Sequence, residues 1–427
     1  MQSTPDYIAN FLARFPVSQT VVLYYGLPEN APESAKLIII PAFANFEITA
    51  LPSLPIAQID NTPILYGDSK IDRQNGKLFI HADIIASSFF LLSRYEELLK
   101  PESRDQYGRI LAKDSIIFKQ GFFNRPLVDE YGFLLRGWLR EIGVALPDDK
   151  PGFSKIFLTH DLDEPFRFAR LFSVGKQYIK NLLRYHYSDH PLKKYLNTKY
   201  DEYNTFHRII GIDNNFRGLF HKAPVEVIYF LITVGTLFNL EYYNVSSRKI
   251  KQLIELLKSS GAKFGLHISN EAGKKPGLIR HEANRFKDLI KHEGLASRHH
   301  YLQWREPEDV SLMEDAGITD DFTLAYADCV GFRVGTCRPY LFINPKTKEL
   351  TNVIIHPLTI MECTLDHKEY MGLDYESALK TCKELICQVY KHNGELILLW
   401  HNTEFLGKNY QEELFKNILD YVADLAQ

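Results

Sequence analysis

The sequence predicts an α/β protein in two parts, a smaller N-terminal α/β domain and a C-terminal irregular (β/α) barrel. The chain has 427 residues, which is long for a single core and enough for two domains. After residue 150, apolar runs of strand length alternate with helical stretches, as in βα units with a parallel sheet or barrel. The segment VALPDDKPGFS, rich in Pro, Asp and Gly, lies between the two parts. We therefore predict domains at 1–150 and 151–427.

The composition excludes several classes of protein. Hydrophobic residues make up 45% and charged residues 24% of the chain, and the net charge is -3. This balance is typical of a globular protein and gives no global attraction to nucleic acid. The N-terminal residues do not follow the pattern of a signal peptide, and no apolar run reaches the roughly 18 residues of a membrane span. We expect a cytoplasmic protein whose five cysteines are reduced thiols.

The N-terminal domain is predicted to contain a small sheet and two long helices. Strands are predicted at 21–26, 36–43, 63–68 and 77–82, and helices at 83–100 and 124–143. Asp83 can cap the first helix, because a carboxylate at this position accepts from the free N–H groups of the first turn.

The C-terminal barrel is predicted from the alternation of strands and helices. Strand-like runs lie at 155–160, 227–234, 263–269, 298–304, 323–328 and 396–402. Helix-like stretches lie at 247–260, 277–292, 307–316, 374–391 and 409–426. An insertion at about 170–222, rich in tyrosine and basic residues, interrupts the alternation.

Polar residues recur where these predicted strands end. They are His160, Asp161, Asp163, His267, Ser269, His299, His300, His401 and Asn402, with Arg333 after the run at 323–328. The C-terminal ends of parallel barrel strands converge on one face, so we expect these groups to meet around one pocket. Carboxylate and imidazole ligands suit zinc or a similar divalent ion.

Other interpretations of the same residues stay open. A single histidine in a strand is commonly a hydrogen-bonded structural group, and Arg333 can be an ordinary ion-pair partner. Asp161 and Asp163 can cap a helix that begins near Pro165. The doublet His160-Asp161 also occurs in HD-type phosphohydrolases, but there it lies on a helix, whereas residues 156–158 read as a strand. The repetition over four separate apolar runs favours a common site.

Several stretches resemble the polysaccharide deacetylase superfamily, the NodB-homology group. LTHDLD (158–163) is similar to its first motif, GLHIS (265–269) to its second, GFRVGTCRPY (331–340) to its third and LLWHN (398–402) to its last. MECTL (361–365) resembles a fourth motif. The segment from Ser87 to Tyr131 resembles the N-terminal domain of a bacterial, surface-polysaccharide-associated subgroup.

The resemblance implies a role for each matching residue. Asp161 would be the general base, Arg333 would orient it, and His401 would be the general acid. Asp163 and His267 would bind the metal. We also expect the two carboxylates of the Asp161/Asp163 pair to point in different directions, one toward water and one toward metal.

The third metal ligand is an open question, because Glu271 stands where the second motif usually has another histidine. His300 is our candidate, since it alternates with Arg298 and Leu302 on one strand face and His299 then points away. Glu271 and His281 are the competitors. The residues expected to line the pocket are His160, Ser269, Glu362 and Asn402.

By resemblance the protein is a metal-dependent deacetylase, with Zn²⁺ as the expected ion. It would remove an N-acetyl group from a sugar of a surface polysaccharide or its precursor. The alternative is an inactive deacetylase-fold protein that binds carbohydrate or assists polysaccharide assembly. The basic segment 174–200 is expected to contact the inner face of the membrane, or else to form a solvated face or a pocket rim. The oligomeric state is left open.

Overall fold

The computed structural model describes residues 2–20, 22–169, 173–176, 178–179, 190–234, 243–291 and 294–427. This part of the chain contains a four-stranded sheet near the N-terminus, a short two-stranded hairpin and a nine-stranded sheet. The protein is therefore of the mixed α/β class.

The four-stranded sheet has the order β1-β2-β6-β5. The strands of this region are β1 Leu23–Tyr25, β2 Leu37–Ile39, β3 Ala57–Ile59, β4 Thr62–Ile64, β5 Gly67–Gln74 and β6 Lys77–Ala82. β1, β2 and β6 are parallel, and β5 pairs antiparallel with β6. The β5–β6 turn is Asn75-Gly76, with φ of 52° and 74°, as a tight hairpin turn with two positive φ angles requires.

Five helices accompany this sheet: α1 Thr4–Ala13, α2 Ile84–Leu92, α3 Glu96–Leu99, α4 Ile116–Lys119 and α5 Leu127–Glu141. The predicted cap of α2 is confirmed, because the Asp83 carboxylate accepts from the Ala86 N–H at 2.8 Å. The single helix predicted at 83–100 is instead divided into α2 and α3. Arg94 lies between them with a φ of 58°, a left-handed conformation through which a helix cannot continue.

The nine-stranded sheet has the order β12-β13-β11-β10-β9-β8-β7-β15-β14. Its strands are β7 Phe153–Leu162, β8 Val225–Leu231, β9 Lys263–Ile268, β10 Ala296–His299, β11 Asp320–Asp321, β12 Tyr340–Ile343, β13 Leu350–Ile355, β14 Ile360–Met361 and β15 Gly394–Leu399. Neighbouring strands are parallel except β12 and β13. Within the described ranges the edge strands β12 and β14 do not pair, so the sheet is open.

The large sheet is strongly curled. β7 and β11 are four places apart in the strand order, which in a flat sheet would separate them by about 19 Å. The rings of Phe157 on β7 and Phe322, directly after β11, are nevertheless only 5.1 Å apart. The sheet thus forms an open half-barrel with a concave interior.

The strands bury both of their faces, and alternate residues belong to different apolar clusters. On β7, Phe157 belongs to the cluster inside the curl, whereas Ile156, Leu158 and Leu162 belong to the cluster outside it. β8 and β15 show the same alternation. The parity of a residue on its strand therefore decides whether it points into the concave side.

Helices accompany the sheet, and the buried apolar residues of most of them belong to the outer cluster. They are α6 Pro191–Leu196, α7 Phe206–Leu219, α8 Arg248–Ser259, α9 Asn270–Lys274, α10 Ile279–Ile290, α11 Val310–Asp315, α12 Glu362–Asp366, α13 Tyr375–Lys391 and α14 Gln411–Leu425. The predicted helices at 247–260, 277–292, 374–391 and 409–426 correspond to α8, α10, α13 and α14. The one predicted at 307–316 is a 3₁₀ turn followed by the short α11. Among the described residues, no helix combines the length and apolar character needed to cross a membrane.

The strand predicted at 323–328 is wrong. The Thr323 N–H and hydroxyl both donate to the Asp321 carboxylate at 2.9 Å, and the Ala325 N–H donates to the Thr323 carbonyl at 2.8 Å. These local bonds turn the chain out of the sheet directly after β11.

The N-terminal and C-terminal parts share one apolar core, to which both contribute buried residues. Ion pairs also join them: Arg333 lies 2.7 Å from Glu97, and Arg338 lies 2.6 Å from Asp129. The predicted boundary falls in segment 144–152, which is neither helix nor strand. The division into two domains stays a prediction.

Candidate metal centre and active site

β7 carries two of the predicted site residues to the concave side. Asp161 and Asp163 have the same parity as Phe157 and lie near the end of the strand. Asp161 is almost fully buried, and both carboxylates approach the same imidazole, that of His267, at 3.5 Å and 3.0 Å. The expectation that the two carboxylates point in different directions is therefore wrong, because residues two apart on a strand share a face.

His267 lies on β9, and a backbone hydrogen bond selects one tautomer of its ring. The ring Nδ1 lies 2.9 Å from the Arg298 carbonyl oxygen, which can only accept, so Nδ1 carries a hydrogen and donates it. In the neutral ring, Nε2 is then the nitrogen with a free lone pair, and it points to Asp163. A backbone acceptor behind a histidine is the usual way in which proteins orient metal-binding imidazoles.

His300 stands one residue after β10, in a short turn rather than on the strand. The following residue, Tyr301, has a φ of 57°, a conformation that is uncommon for a bulky residue. This turn brings the His300 Nε2 to 3.4 Å from Asp163 Oδ2. His299 points elsewhere, as predicted, with its Nδ1 3.3 Å from the Thr323 hydroxyl.

Asp163, His267 and His300 form a group that could hold a metal ion. One ligand atom from each residue lies within 4.8 Å of the others. Two of the facing atoms, Asp163 Oδ1 and His267 Nε2, are buried 3.0 Å apart without the geometry of a hydrogen bond to any group. Buried polar atoms are rarely left unsatisfied, and a shared cation would satisfy both. The residues present therefore fit a divalent metal, and they are the three predicted ligands.

The charges of the site also favour a bound cation. Burial alone would raise the pKa of Asp163, but His300, His267 and His401 outweigh burial and hold that pKa well below its usual value. Burial alone would lower the pKa of His267, yet Asp161 and Asp163 raise it overall. The buried carboxylates thus draw positive charge into the site.

The two competing ligands are excluded by their positions. Glu271 and His281 are both exposed on the outer surface, and the Glu271 carboxylate lies 3.6 Å from the Lys275 ammonium. Neither belongs to the cluster around Asp163.

The arginine beside the predicted base is Arg298, not Arg333. Arg298 Nη1 donates to Asp161 Oδ1 at 2.8 Å, and Nε donates to the Phe322 carbonyl at 3.0 Å. The side chain is fully buried over the Phe230 ring. Burial alone would raise the pKa of Asp161, but Arg298 and the nearby histidines lower it, so this carboxylate is ionised.

Arg333 faces the N-terminal part of the protein. Its Nη2 donates to Glu97 at 2.7 Å and its Nη1 to the Ala325 carbonyl at 2.9 Å. The loop after β11 turns this side chain toward α3, where Glu97 is its partner. The predicted contact between Arg333 and Asp161 is replaced by that of Arg298.

His401 follows β15 and points into the concave side, 3.4 Å from Asp163. Its Nδ1 is in short contact with Glu362 Oε1, which also accepts from the His401 N–H at 2.9 Å. Burial alone would lower the pKa of His401, but Glu362 and Asp163 raise it well above its usual value. Glu362 therefore belongs to the site, as predicted, through its contact with His401.

His160 and Ser269 do not line the pocket, although they were predicted to. His160 has outward parity on β7, with its Nδ1 2.7 Å from the Trp400 carbonyl and its Nε2 3.2 Å from Asp213. Ser269 caps α9 and donates to Glu282 at 2.5 Å. Both are structural groups behind the site.

Asn402 borders the outer part of the pocket. Its Nδ2 donates to the carbonyl oxygens of Glu164 and Tyr203 at 3.1 Å and 3.0 Å. It therefore ties Glu164, which precedes the insertion, to Tyr203, which lies within it.

Two adjoining cavities, of about 270 Å³ and 260 Å³, open from this cluster. Several residues that line them were not predicted as site residues: Arg109, Tyr301, Cys363, Tyr370, Thr403 and Glu404. Arg109 lies almost 200 residues before His300 in the chain, so no local pattern could reveal it. Arg298 could have been found, because it has the same parity as His300 in RHHYL.

The basic segment 174–200 falls only partly within the described residues, since 177 and 180–189 lie outside them. Lys194 pairs with Glu202 at 2.9 Å, and Lys193 covers the Tyr200 ring at 4.0 Å. The predicted membrane contact of this segment remains a proposal.

Comparison with known proteins adds two similarities. Residues 16–143 match a family of unknown function, DUF7033. The crystal structure of a "putative polysaccharide deacetylase" from Mycobacterium smegmatis is similar, with a TM-score of 0.41 and 13% sequence identity over 66% of this chain and 86% of that chain. No curated protein matches the chain. A TM-score this low supports no functional argument.

Proposed function

We propose that the protein is a metal-dependent hydrolase that removes the acetyl group from an N-acetylated sugar of a surface polysaccharide or its precursor. The observation that carries this proposal is the triad of Asp163, His267 and His300, in which two buried polar atoms, Asp163 Oδ1 and His267 Nε2, lack hydrogen-bond geometry. A second carboxylate, Asp161, and a third histidine, His401, lie beside it, and each is held by its own partner. Amide hydrolysis requires these three functions: an electrophilic centre, a base and an acid.

Asp163, His267 and His300 would hold the metal. One carboxylate with two imidazoles is a ligand set typical of catalytic zinc. Such an ion, when bound, polarises the amide carbonyl and lowers the pKa of a coordinated water to about 7.

Asp161 would act as the general base that takes a proton from the attacking water. Arg298 holds its Oδ1, so the free oxygen, Oδ2, faces the cluster near His267. The low pKa keeps this carboxylate ionised and ready to accept. Its distance to the cluster is set by a fully buried arginine that has little freedom to move.

His401 would donate a proton to the nitrogen of the departing sugar. Glu362 fixes its Nδ1 side, and its Nε2 lies on the side of Asp163. In the overall reaction the C–N bond breaks, the acyl carbon gains the water oxygen, and the amine leaves with the proton from His401. The products are acetate and an amino sugar.

Metal analysis and an acetate assay test this proposal together. We expect about one zinc ion per purified chain and release of acetate from free, nucleotide-linked or lipid-linked N-acetylhexosamines. Protein that binds these sugars but holds no metal and releases no acetate would instead favour the non-catalytic carbohydrate-binding alternative.

The cytoplasmic location and the peripheral membrane contact are further parts of the proposal. Cell fractionation tests the first. Co-sedimentation with anionic and neutral vesicles tests the second, with Lys176, Lys180, Lys193 and Lys194 changed to Gln as the control.

A further inference from the structure

A loop of the N-terminal part, DQYGR (105–109), packs directly against the turn that carries His300. The loop is closed by its own bonds, since the Asp105 carboxylate accepts from the N–H groups of Tyr107 and Arg109 at 2.9 Å. It lies within the region matched by the family of unknown function. None of its residues belongs to the metal triad.

Arg109 joins the loop to the backbone of the turn. Its Nε and Nη2 donate to the Asp105 carboxylate at 2.9 Å and 2.7 Å, and Nη1 donates to the Tyr301 carbonyl at 2.6 Å. The side chain is 6% exposed and lines the same cavity as His300. Asp105 thus fixes the guanidinium, and the guanidinium fixes the peptide that follows His300.

Tyr107 joins the loop to the side chains of the turn. Its ring stacks on Tyr301 at 4.8 Å, and Tyr301 stacks on the His300 imidazole at 3.8 Å. The Arg109 guanidinium covers the Tyr107 ring at 4.7 Å. A continuous stack therefore leads from the loop to a metal-binding imidazole.

Gly108 allows the close approach between the loop and the Arg305 side chain. Its φ is 77°, and an added Cβ would lie 2.2 Å from Arg305 Nε. That Arg305 nitrogen donates to the Tyr107 carbonyl at 3.2 Å. The loop is thus held at a fixed distance from segment 300–305, which matters because Tyr301 keeps an unfavourable left-handed φ.

We propose that loop 105–109 is a positioning element of the metal centre, in which Arg109 and Tyr107 act on His300 through Tyr301. The inference rests on the proposed metal site. Groups that orient a ligand from behind commonly change metal affinity by 10–100-fold when they are lost. In this chain the orienting groups come from the N-terminal part, which would make that part necessary for the metal centre.

The test is metal affinity and metal spectroscopy in Arg109→Ala, Arg109→Lys and Tyr107→Leu. Zinc affinity is measured by competition with a chelator, and the visible absorption of the cobalt-substituted protein reports ligand geometry. We expect Arg109→Ala and Tyr107→Leu to bind zinc roughly 10–100-fold more weakly and to change the cobalt spectrum. Arg109→Lys should recover part of the affinity, because an ammonium can still donate to the Tyr301 carbonyl.

Arg338→Ala is the matched control. Arg338 also pairs with a carboxylate, that of Asp129, donates to a backbone carbonyl, that of Phe11, and covers an aromatic ring. It does not line the cavities next to the metal triad. We expect this variant to be less stable but to bind zinc like the wild type.

The outcomes separate this inference from the proposed function. Wild-type protein that binds neither zinc nor cobalt overturns both. Wild-type protein that binds zinc, together with Arg109 and Tyr107 variants that bind as tightly as Arg338→Ala, overturns the positioning role and leaves the proposed function intact. If Arg109→Ala does not fold, Tyr107→Leu decides, since its partly exposed ring is removed at lower cost.

Discussion

At each end of strands β7–β10, histidine and carboxylate side chains lie beside a cavity. The two ends differ in the hydrogen-bond and ion-pair partners of these side chains. Where the strands begin, His356 has Glu395 at 2.6 Å from one ring nitrogen and Asp320 at 3.0 Å from the other. Lys155 and Lys263 share the Glu226 carboxylate at 2.7 Å and 3.0 Å. Where the strands end, Asp163 Oδ1 and His267 Nε2 are buried without hydrogen-bond geometry.

Cavity size alone does not distinguish the proposed metal site from the opposite end of the strands. The cavity where the strands begin, about 430 Å³, is larger than either of the two adjoining cavities where they end, about 270 Å³ and 260 Å³. Its charged groups nevertheless neutralise one another, as structural ion pairs do. Where the strands end, the facing atoms Asp163 Oδ1 and His267 Nε2 are buried without hydrogen-bond geometry, and a shared cation would satisfy both.

The largest expected effect is the loss of metal in His267→Ala. Removing one of three protein ligands should weaken metal binding by more than about 10²-fold and abolish turnover, while circular dichroism shows a folded chain. The matched control is His356→Ala at the other end of the strands, which should retain its metal. Full metal content in His267→Ala would contradict the ligand assignment.

Asp161→Asn should lower turnover without removing the metal from the proposed site. The amide keeps the shape of the side chain but cannot accept the proton, so turnover should fall by roughly 10²–10⁴ with the metal retained. Acetate release and metal content measured on the same preparation check this. An unchanged rate rules out the base role, and loss of the metal would make Asp161 a ligand.

Arg298→Lys tests which arginine orients the Asp161 carboxylate, the proposed general base. A lysine cannot bond Asp161 and the Phe322 carbonyl with one rigid group, and a displaced carboxylate should lower turnover by roughly 10²-fold. Arg333→Lys is the control, because its partners Glu97 and Ala325 are remote from Asp161. We expect it to reduce the unfolding free energy and leave turnover unchanged; the reverse pattern would restore Arg333 as the orienting residue.

The ion pairs of His356, where the strands begin, should affect the pH dependence of the unfolding free energy. Burial alone would lower the pKa of His356, but Asp320 and Glu395 raise it from 6.5 to about 9. A group whose pKa is higher in the folded state stabilises fully below the unfolded pKa and loses this effect as pH rises through the folded value.

We therefore expect this histidine to contribute about 3 kcal/mol to the unfolding free energy below pH 6.5, a contribution lost by about pH 9. Urea unfolding between pH 6 and 10 measures it, with His356→Gln as the comparison. Equal pH dependence in both proteins would show that the His356 pairs are not responsible.

The sequence by itself indicated most strands of the large sheet and the polar residues near their ends. Asp163 and His267 follow apolar runs, His300 lies close to another predicted strand, and parallel strands carry such residues to one end of a sheet. Strand parity places Asp161 and His160 on opposite faces of β7, but the structure was needed to show that the apolar residues on the side of His160 face the outer cluster. Patterns of this kind are local, so they can be recognised in the sequence without knowledge of the fold.

Only the tertiary structure decided which distant groups meet these residues. Arg298 reaches Asp161 because the sheet curls, and Arg333 turns away because the chain leaves the sheet after β11. Arg109 reaches the turn at Tyr301 from the other part of the protein. Such contacts depend on the curvature of the sheet and on the packing of the N-terminal part against the C-terminal part. Curvature and packing arise from many weak interactions along the whole chain and not from any one local pattern.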